Sequence, residues 1–450
     1  MFKLAVSDFF SRIWIWLGAL VVAVTCGLIS QYGFCIRGSA EQAGHMFGSV
    51  GFSLLLFTGM ATVPVVTAVG GSVVARQRRS YAMWRLVGVL PGVVRNVVLV
   101  QLCMAGAIGA TVGAVVASLL YVPTIPVLLP EMVQFSGLES LAGLYPSWPK
   151  VIDSALLSAA LFVLGGLGPA RRAAKTSPIA ALSELERPMS RRPWLRILAL
   201  VLCLVTLGLL FAWMRSDDVA PVTNGAFYFT LVTVALFSVL APWVLPGCLR
   251  LWSVPLGRFV LPDLARRGAE HALASSASIE LPITIGFGML AGFHSMFMPL
   301  GEWYAAHSLG FDATLNQTAQ VALFGGPIAI CLVGAMASAL VSSGEHSRSA
   351  ASLMLVGMTP REALGVSLWE SLMHVVNALL AGALTVLVSS TCIRLALGVF
   401  PAGGVDLLPG LPVGVAGLLF VGLVLCTSTL HGIVAAATCV GDAARGDVDT

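Results

Sequence analysis

The sequence predicts an all-α polytopic membrane protein with ten transmembrane helices, and its composition is the first reason. Of its 450 residues, 58% are hydrophobic and only 10% are charged, whereas soluble domains contain about 25% charged residues. The second reason is that the hydrophobic residues are grouped in long blocks. Each block is long enough to cross, as a helix, the ~30 Å hydrocarbon core of a bilayer.

Ten such blocks follow one another along the chain, and the basic residues orient them. With both termini in the cytoplasm, all but four of the 25 lysines and arginines fall on the cytoplasmic side, in agreement with the positive-inside rule. A missed span would destroy this bias, so the number of spans and the orientation support each other. The four exceptions are Arg37, Lys150, Arg215 and Arg394. The predicted spans are residues 12–32, 49–74, 97–121, 151–168, 195–214, 226–246, 279–299, 319–342, 363–391 and 411–437.

An internal repeat divides the chain into two units. Residues 76–101 match residues 345–370 in register, 269 positions later. Six spans separate equivalent helices, and because six is even the two units are predicted to be parallel rather than inverted. The predicted domains are four-span units at 1–186 and 256–450, joined by a two-span hairpin at 187–255. The matching residues are Arg79 with Arg348, Ser80 with Ser349, Val87-Gly88 with Val356-Gly357, and Pro91 with Pro360.

The first copy of this repeat combines positive charge with aromatic side chains. On a helix, Tyr81, Trp84 and Gly88 lie along one side at positions i, i+3 and i+7, and Pro91 ends that helix before the third span. Such a helix in a cytoplasmic loop suits docking into a groove of a soluble partner. An interfacial helix that holds basic residues at the lipid headgroups explains the same residue types. The basic residues are Arg76, Arg78, Arg79 and Arg85.

No nucleotide-binding motif is present in the sequence, so the chain is not expected to be an enzyme. A phosphate-binding loop needs a lysine between glycine and serine or threonine. The three lysines, Lys3, Lys150 and Lys175, follow Phe2, Pro149 and Ala174. We therefore expect no cofactor in this chain and no nucleic-acid partner, and any work that the protein does must draw its energy from elsewhere.

Two segments carry a resemblance to a known family. The stretch RQRRSYAMWRLVGV from Arg76 resembles the cytoplasmic loop after the second span of the FtsX-like permease family. Residues 168–182, GPARRAAKTSPIAAL, are similar to the ending of that family's four-span unit. The order of four, two and four spans also resembles its ten-span members, so the resemblance covers both repeats. It implies a permease of an ATP-binding cassette (ABC) transporter, with ATP and Mg²⁺ held by a separate ATPase subunit, present in two copies.

The resemblance also implies which residues receive the motion of the ATPase. In the first coupling loop they are Arg76, Arg78, Arg79, Tyr81, Trp84, Arg85, Gly88 and Pro91, and in the second they are Arg348, Gly357, Pro360 and Arg361. Three departures from the family matter. The large extracytoplasmic domain after the first span is missing, and the second loop has few basic residues. The C-terminus has only Ala443-Ala444-Arg445 where the first unit has Ala170-Arg171-Arg172. The two halves are therefore expected to engage the ATPase unequally.

These observations lead to a primary function and to alternatives. The primary hypothesis is an exporter subunit in a bacterial cell membrane, both termini cytoplasmic, in contact with membrane lipids. Without an outer domain, amphipathic or lipid-like substrates are favoured, such as antimicrobial peptides, lipids or hydrophobic drugs. The alternative is a non-transporting regulatory partner of an ABC ATPase that controls a sensor kinase or a cell-wall enzyme. A secondary transporter ranks last, because it predicts inverted repeats and charges in both units.

Three polar residues form a stripe in the ninth predicted span. Glu370, His374 and Asn377 occupy positions i, i+4 and i+7 of one helical face, whereas the first unit has Gln101, Ala105 and Ile108 in register. A charge at the bilayer centre costs about 2.5–3.5 kcal/mol on insertion scales, so such residues face protein or water. The stripe could line a substrate path or bind protons, or it could be a helix-packing network.

Two further segments leave simpler expectations. Glu280 lies at the cytoplasmic start of the seventh span and is predicted to be a helix-end residue. The proline-rich segment 122–150 is the largest predicted outer loop. It is interpreted either as a lid over an outer cavity or as a connection resting on the membrane interface.

Overall fold

A computed structural model describes residues 2–43, 48–136, 146–175, 193–275, 279–307, 317–399 and 405–446. Ten of its helices are long and apolar enough to cross a membrane, which confirms the predicted all-α polytopic class. The first unit contains α1 (Phe2–Ser11), α2 (Ile13–Ala43), α3 (Gly48–Arg76), α4 (Arg78–Leu86), α5 (Pro91–Ser136) and α6 (Lys150–Ala174). The hairpin contains α7 (Pro193–Trp213) and α8 (Val219–Ser253). The second unit contains α9 (Val260–Ser275), α10 (Glu280–Ala306), α11 (Gln317–Leu355), α12 (Pro360–Leu397) and α13 (Leu411–Gly446).

Several helices extend beyond the predicted spans. Helix α5 continues to Ser136 and includes the first part of the proline-rich segment, so that part is helix rather than loop. Helix α11 continues to Leu355, so the residues before the second turn belong to the eighth span itself. Residues 137–145 and 176–192, which include the predicted boundary at 186, lie outside the described residues.

The helices of the two units pack in the same order. In the first unit α2 contacts α3, α5 and α6, and α6 also contacts α3 and α5; in the second unit α10, α11, α12 and α13 repeat these neighbours. The units meet mainly where α3 packs on α11, and these are equivalent helices of the repeat. The hairpin belongs with the second unit, because α8 packs against α10 and α12.

Close helix packing in the first unit depends on glycine. A Cβ atom on Gly113 of α5 would overlap the carbonyl oxygen of Val24 of α2, and one on Gly27 would overlap the Ala110 backbone. Small residues allow membrane helices to approach this closely.

Four aromatic rings fill the junction between the two units. Phe57 comes from α3 of the first unit, and Phe227, Phe293 and Phe324 come from α8, α10 and α11. The Phe293 and Phe324 rings stack with centroids 4.6 Å apart, and Phe57 lies 5.0 Å from Phe293. All but Phe227 are fully buried. The packed rings leave the two units in direct apolar contact.

Several basic residues meet at one end of the bundle, which we name the arginine-rich face. It is the membrane side that carries α1, α4 and the ends of α6 and α11. The Arg12 guanidinium donates to the Ser80 hydroxyl at 3.0 Å, and Arg85 donates to the Ala174 carbonyl at 3.2 Å. These bonds bring the starts of α2 and α4 and the end of α6 together at this face.

Candidate functional site

The turn after α4 is held by glycine. Gly88 has a φ of 94°, a conformation that glycine adopts without a Cβ penalty. The Val89 N–H donates to the Trp84 carbonyl at 3.0 Å, and the Gly88 N–H donates to the Arg85 carbonyl at 3.1 Å. These bonds satisfy carbonyls at the helix end that would otherwise lack partners.

The turn after α11 repeats this arrangement in register. Gly357 has a φ of 98°. The Met358 N–H donates to the Leu353 carbonyl at 3.2 Å, and the Gly357 N–H donates to the Met354 carbonyl at 3.0 Å. The Val-Gly match in the sequence is therefore also a match in backbone structure.

Both turns present the same two apolar side chains at the surface. Val87 and Val356 are each 86% exposed, and Leu86 and Leu355 beside them are also exposed. We call these two Leu-Val pairs the matched turns. Contact with lipid does not explain their exposure, because both pairs lie between candidate spans, on the arginine-rich face.

The aromatic side of α4 is not at this surface. Tyr81 is fully buried, and its hydroxyl donates to Gln77 Oε1 at 2.5 Å. Burial, together with the nearby Asp8 carboxylate, raises the pKa of the Tyr81 phenol above its usual range. Trp84 is half-buried and packs edge-on against Tyr81, with centroids 5.5 Å apart. The predicted docking side of Tyr81, Trp84 and Gly88 is thus corrected, because apolar packing turns both aromatics inward.

The predicted basic and proline residues occupy several different settings. Arg85 bonds the end of α6, so it joins two elements of its own unit. Pro91 and Pro360 begin α5 and α12, where proline needs no hydrogen-bond partner for its nitrogen. Thr359 and Glu362 form a capping box around Pro360. Arg76, Arg79, Arg348 and Arg361 are exposed and Arg78 is half-buried.

The polar stripe of the ninth span faces the carboxylate of Glu280, which lies on another helix. Glu280 is buried, with its side chain 1% exposed. Its Oε1 lies 2.7 Å from His374 Nδ1, and its Oε2 accepts from Asn377 Nδ2 at 2.5 Å. Asn377 also donates to the Leu245 carbonyl at 3.0 Å. The prediction that Glu280 is a helix-end residue is confirmed, since α10 begins there, but that prediction did not include its burial beneath α8 and α12.

A second carboxylate and a second imidazole continue this cluster toward the arginine-rich face. His374 Nε2 lies 3.9 Å from Glu370 Oε1, and His346 Nδ1 of α11 lies 3.7 Å from Glu370 Oε2. We call Glu280, His374, Glu370 and His346 the buried polar cluster. It alternates carboxylate and imidazole and, with Asn377, connects four helices. Sequence reasoning missed His346, which occupies the register position of Gln77.

The cluster does not have the geometry of a metal site. Within the described part of the chain, no three His, Cys, Asp or Glu side chains are grouped so that they could hold a metal ion. Comparison with protein-family models, with curated proteins and with solved structures finds no match to this chain.

Proposed function

We propose that this protein is the membrane subunit of an ABC transporter. The observation that carries the proposal is the pair of matched turns, which expose the same Leu-Val pair at equivalent points of two parallel units. Burial of apolar surface contributes roughly 25 cal/mol per Å², and short apolar projections from a helix end fit grooves on a partner. Two equivalent projections suit two copies of one soluble partner, and an ATPase pair has that symmetry.

The energy for transport comes from that partner in this proposal. ATP and Mg²⁺ bind to the ATPase, and its movement is transmitted through Val87 and Val356 to α5 and α12. The arginine-rich face then lies in the cytoplasm of a bacterial cell, with both termini on that side, because basic residues favour the cytoplasmic side of membranes. The exposed side chains of Arg76, Arg79, Arg348 and Arg361 then attract acidic groups of the partner or lipid headgroups.

An amphipathic or lipid-like substrate fits the junction between the two units. Export requires α3 and α11 to separate there, and Phe57 then leaves the rings of Phe293 and Phe324. An opening between apolar helices admits molecules from the bilayer more readily than ions. We therefore propose export of lipids, hydrophobic drugs or membrane-active peptides rather than of small polar solutes.

Charge placed on the matched turns is expected to abolish partner binding. Val87→Glu and Val356→Glu each put a carboxylate into the proposed apolar contact, where it lacks a partner. We expect each change to weaken binding of an ABC ATPase at least about tenfold, or 1.4 kcal/mol. Binding is measured by co-purification and titration of the full chain in lipid nanodiscs, together with ATP turnover.

Val254→Glu is the matched control for this experiment. Val254 is also an exposed valine, in the short helix that follows α8, and it belongs to neither turn. It should bind the ATPase as the wild type does. Unchanged binding and turnover in both turn variants would rule out the proposal.

Transport must be measured separately, because a signalling partner of an ABC ATPase would share the same docking surface. Vesicles that contain the complex and a fluorescent phospholipid distinguish the two functions. ATP-dependent movement of the lipid between leaflets supports the exporter. ATP turnover without movement of lipids, drugs or peptides supports the regulatory alternative, with a sensor kinase or cell-wall enzyme as its target.

A further inference from the structure

We propose that the buried polar cluster is a proton-exchange site that opens at the arginine-rich face. It does not depend on the identity of the soluble partner. Its members are Glu280, His374, Glu370 and His346, and the ligand is a proton taken from water and returned to it. The exchange breaks and forms only N–H or O–H bonds and involves no redox chemistry.

With both carboxylates ionised, the charge of the cluster depends on one exchangeable proton. Two carboxylates balance two imidazolium rings, so the cluster is neutral when both histidines are protonated and carries one net negative charge when one is not. A net charge among apolar helices is costly. His374 alone cannot neutralise both Glu280 at 2.7 Å and Glu370 at 3.9 Å. When both carboxylates are ionised, the second positive charge comes from His346, 3.7 Å from Glu370.

One buried atom of the cluster also lacks a hydrogen bond. His374 Nε2 is buried and has no hydrogen-bond partner, although it is directed toward Glu370. Buried polar nitrogens are nearly always bonded, and the exceptions mark functional sites or missing water. A proton or a water between His374 and Glu370 would complete the connection.

Exposure rises in order along the cluster. The side chains of Glu280, His374, Glu370 and His346 are 1%, 3%, 11% and 19% exposed. His346 and Glu370 are therefore the members that exchange protons with water at the arginine-rich face. Glu280 and His374 form the closed inner end.

In the first unit, neutral side chains occupy the positions equivalent to His346 and Glu370. By register, Gln77 replaces His346 and Gln101 replaces Glu370. Gln101 donates to Asp8 of α1 at 2.9 Å, and Gln77 accepts from Tyr81. Neutral amides at these positions are thus compatible with the fold. The ionisable pair is a specific property of the second unit, and packing does not require it.

In the described part of the chain, the charged groups on the neighbouring helices form no ion pair with the cluster. Helix α9 presents Gly268 to Glu370, and its charged residues pair with one another: Asp263 with Arg266 and Arg267, and Glu270 with Arg266. Hydrogen bonds from Arg266 hold the pKa of the Asp263 carboxyl below its usual range. Helix α8 brings Cys248 near Glu280. On α13, His431 is exposed and its Nδ1 lies 2.8 Å from the Thr427 carbonyl.

The exchanged proton controls how α11 is attached to α12. Protonated His346 attracts Glu370, and neutral His346 does not. Helix α11 ends at the Leu355-Val356 turn nine residues after His346. Release of the proton at higher pH thus loosens the helix that carries one of the matched turns.

The pH dependence of thermal unfolding tests this inference on the full chain in nanodiscs. Because the His346–Glu370 attraction needs the protonated ring, its stabilisation is present at low pH and lost as the pH rises. We expect the melting temperature of the wild type to fall by about 2–4 °C between pH 6 and pH 8. His346→Gln, and the double change with Glu370→Gln that copies the first unit, should remove most of this shift.

Two further variants make the test decisive. His346→Lys carries a permanent positive charge, so it should keep the low-pH melting temperature throughout the range. His294→Gln removes another histidine–carboxylate pair, with Asp406 at 3.3 Å on the opposite face, and should leave the His346-dependent shift intact. A full wild-type shift in His346→Gln, or its loss only in His294→Gln, would overturn the proposal.

Discussion

Glu280→Ala is expected to destabilise the protein by about 3–5 kcal/mol, the cost of removing one partner from a buried charged pair. The change removes the acceptor of both His374 Nδ1 and Asn377 Nδ2. It leaves those groups in a packed interior where water cannot replace the carboxylate. It also detaches α10 from α12 at a point that α8 shares through the Leu245 carbonyl. The free energy of unfolding is measured by SDS titration of the detergent-solubilised chain.

A surface carboxylate provides the control for that prediction. Glu270 of α9 pairs with Arg266 at 3.2 Å, and its side chain is 36% exposed. Glu270→Ala should cost less than about 1 kcal/mol, as exposed ion pairs do. A combined Glu280→Met, His374→Leu and Asn377→Leu variant should recover most of the loss, because apolar groups need no partner. Equal costs for Glu280→Ala and Glu270→Ala would contradict the buried network.

The cluster shows how far sequence reasoning reaches in such a chain. The spacing of Glu370, His374 and Asn377 predicts one helical face, and the structure places all three on it. Periodicity within one helix contains no information about the neighbouring helix. Glu280 and His346 lie on two other helices, so only tertiary packing brings them to the stripe. Glu280 still gave a signal, since a carboxylate at the start of a long apolar helix needs a partner if it is covered.

For the matched turns too, the sequence predicts local backbone structure but not which side of a helix is buried. A glycine shared by two repeats predicts a shared backbone conformation, and Gly88 and Gly357 both have positive φ. The direction of Tyr81 was not predictable from spacing, because a short amphipathic helix can turn either side to the protein. Its aromatic side buries more apolar area than its Leu-Val end, and burial of that area determines the orientation. The exposed Leu-Val pair follows from this orientation.

Of the glycine-to-alanine changes compared below, Gly113→Ala is expected to lower the free energy of unfolding most. The added Cβ meets the Val24 carbonyl oxygen, which is backbone and cannot rotate away. Helices α2 and α5 must therefore move apart, and this loses contact along their whole interface. We expect a loss of about 3 kcal/mol or more in the free energy of unfolding, at the upper end of overpacking effects. The same SDS titration measures it.

Two other glycines show whether the cost depends on which atom the added Cβ meets. Gly382 occupies the register position of Gly113 in the second unit, but a Cβ there meets the Phe287 ring at 2.6 Å. A side chain can rotate, so Gly382→Ala should cost less than Gly113→Ala. Gly208 of α7 has nothing within 4 Å of the added atom, and alanine is the better helix former by about 1 kcal/mol, so Gly208→Ala should be neutral or stabilising. A Gly113→Ala protein as stable as Gly208→Ala would show that α2 and α5 do not cross in direct backbone contact. The order Gly113, Gly382, Gly208 would instead show that identical repeat positions are constrained by backbone in one unit and by a side chain in the other.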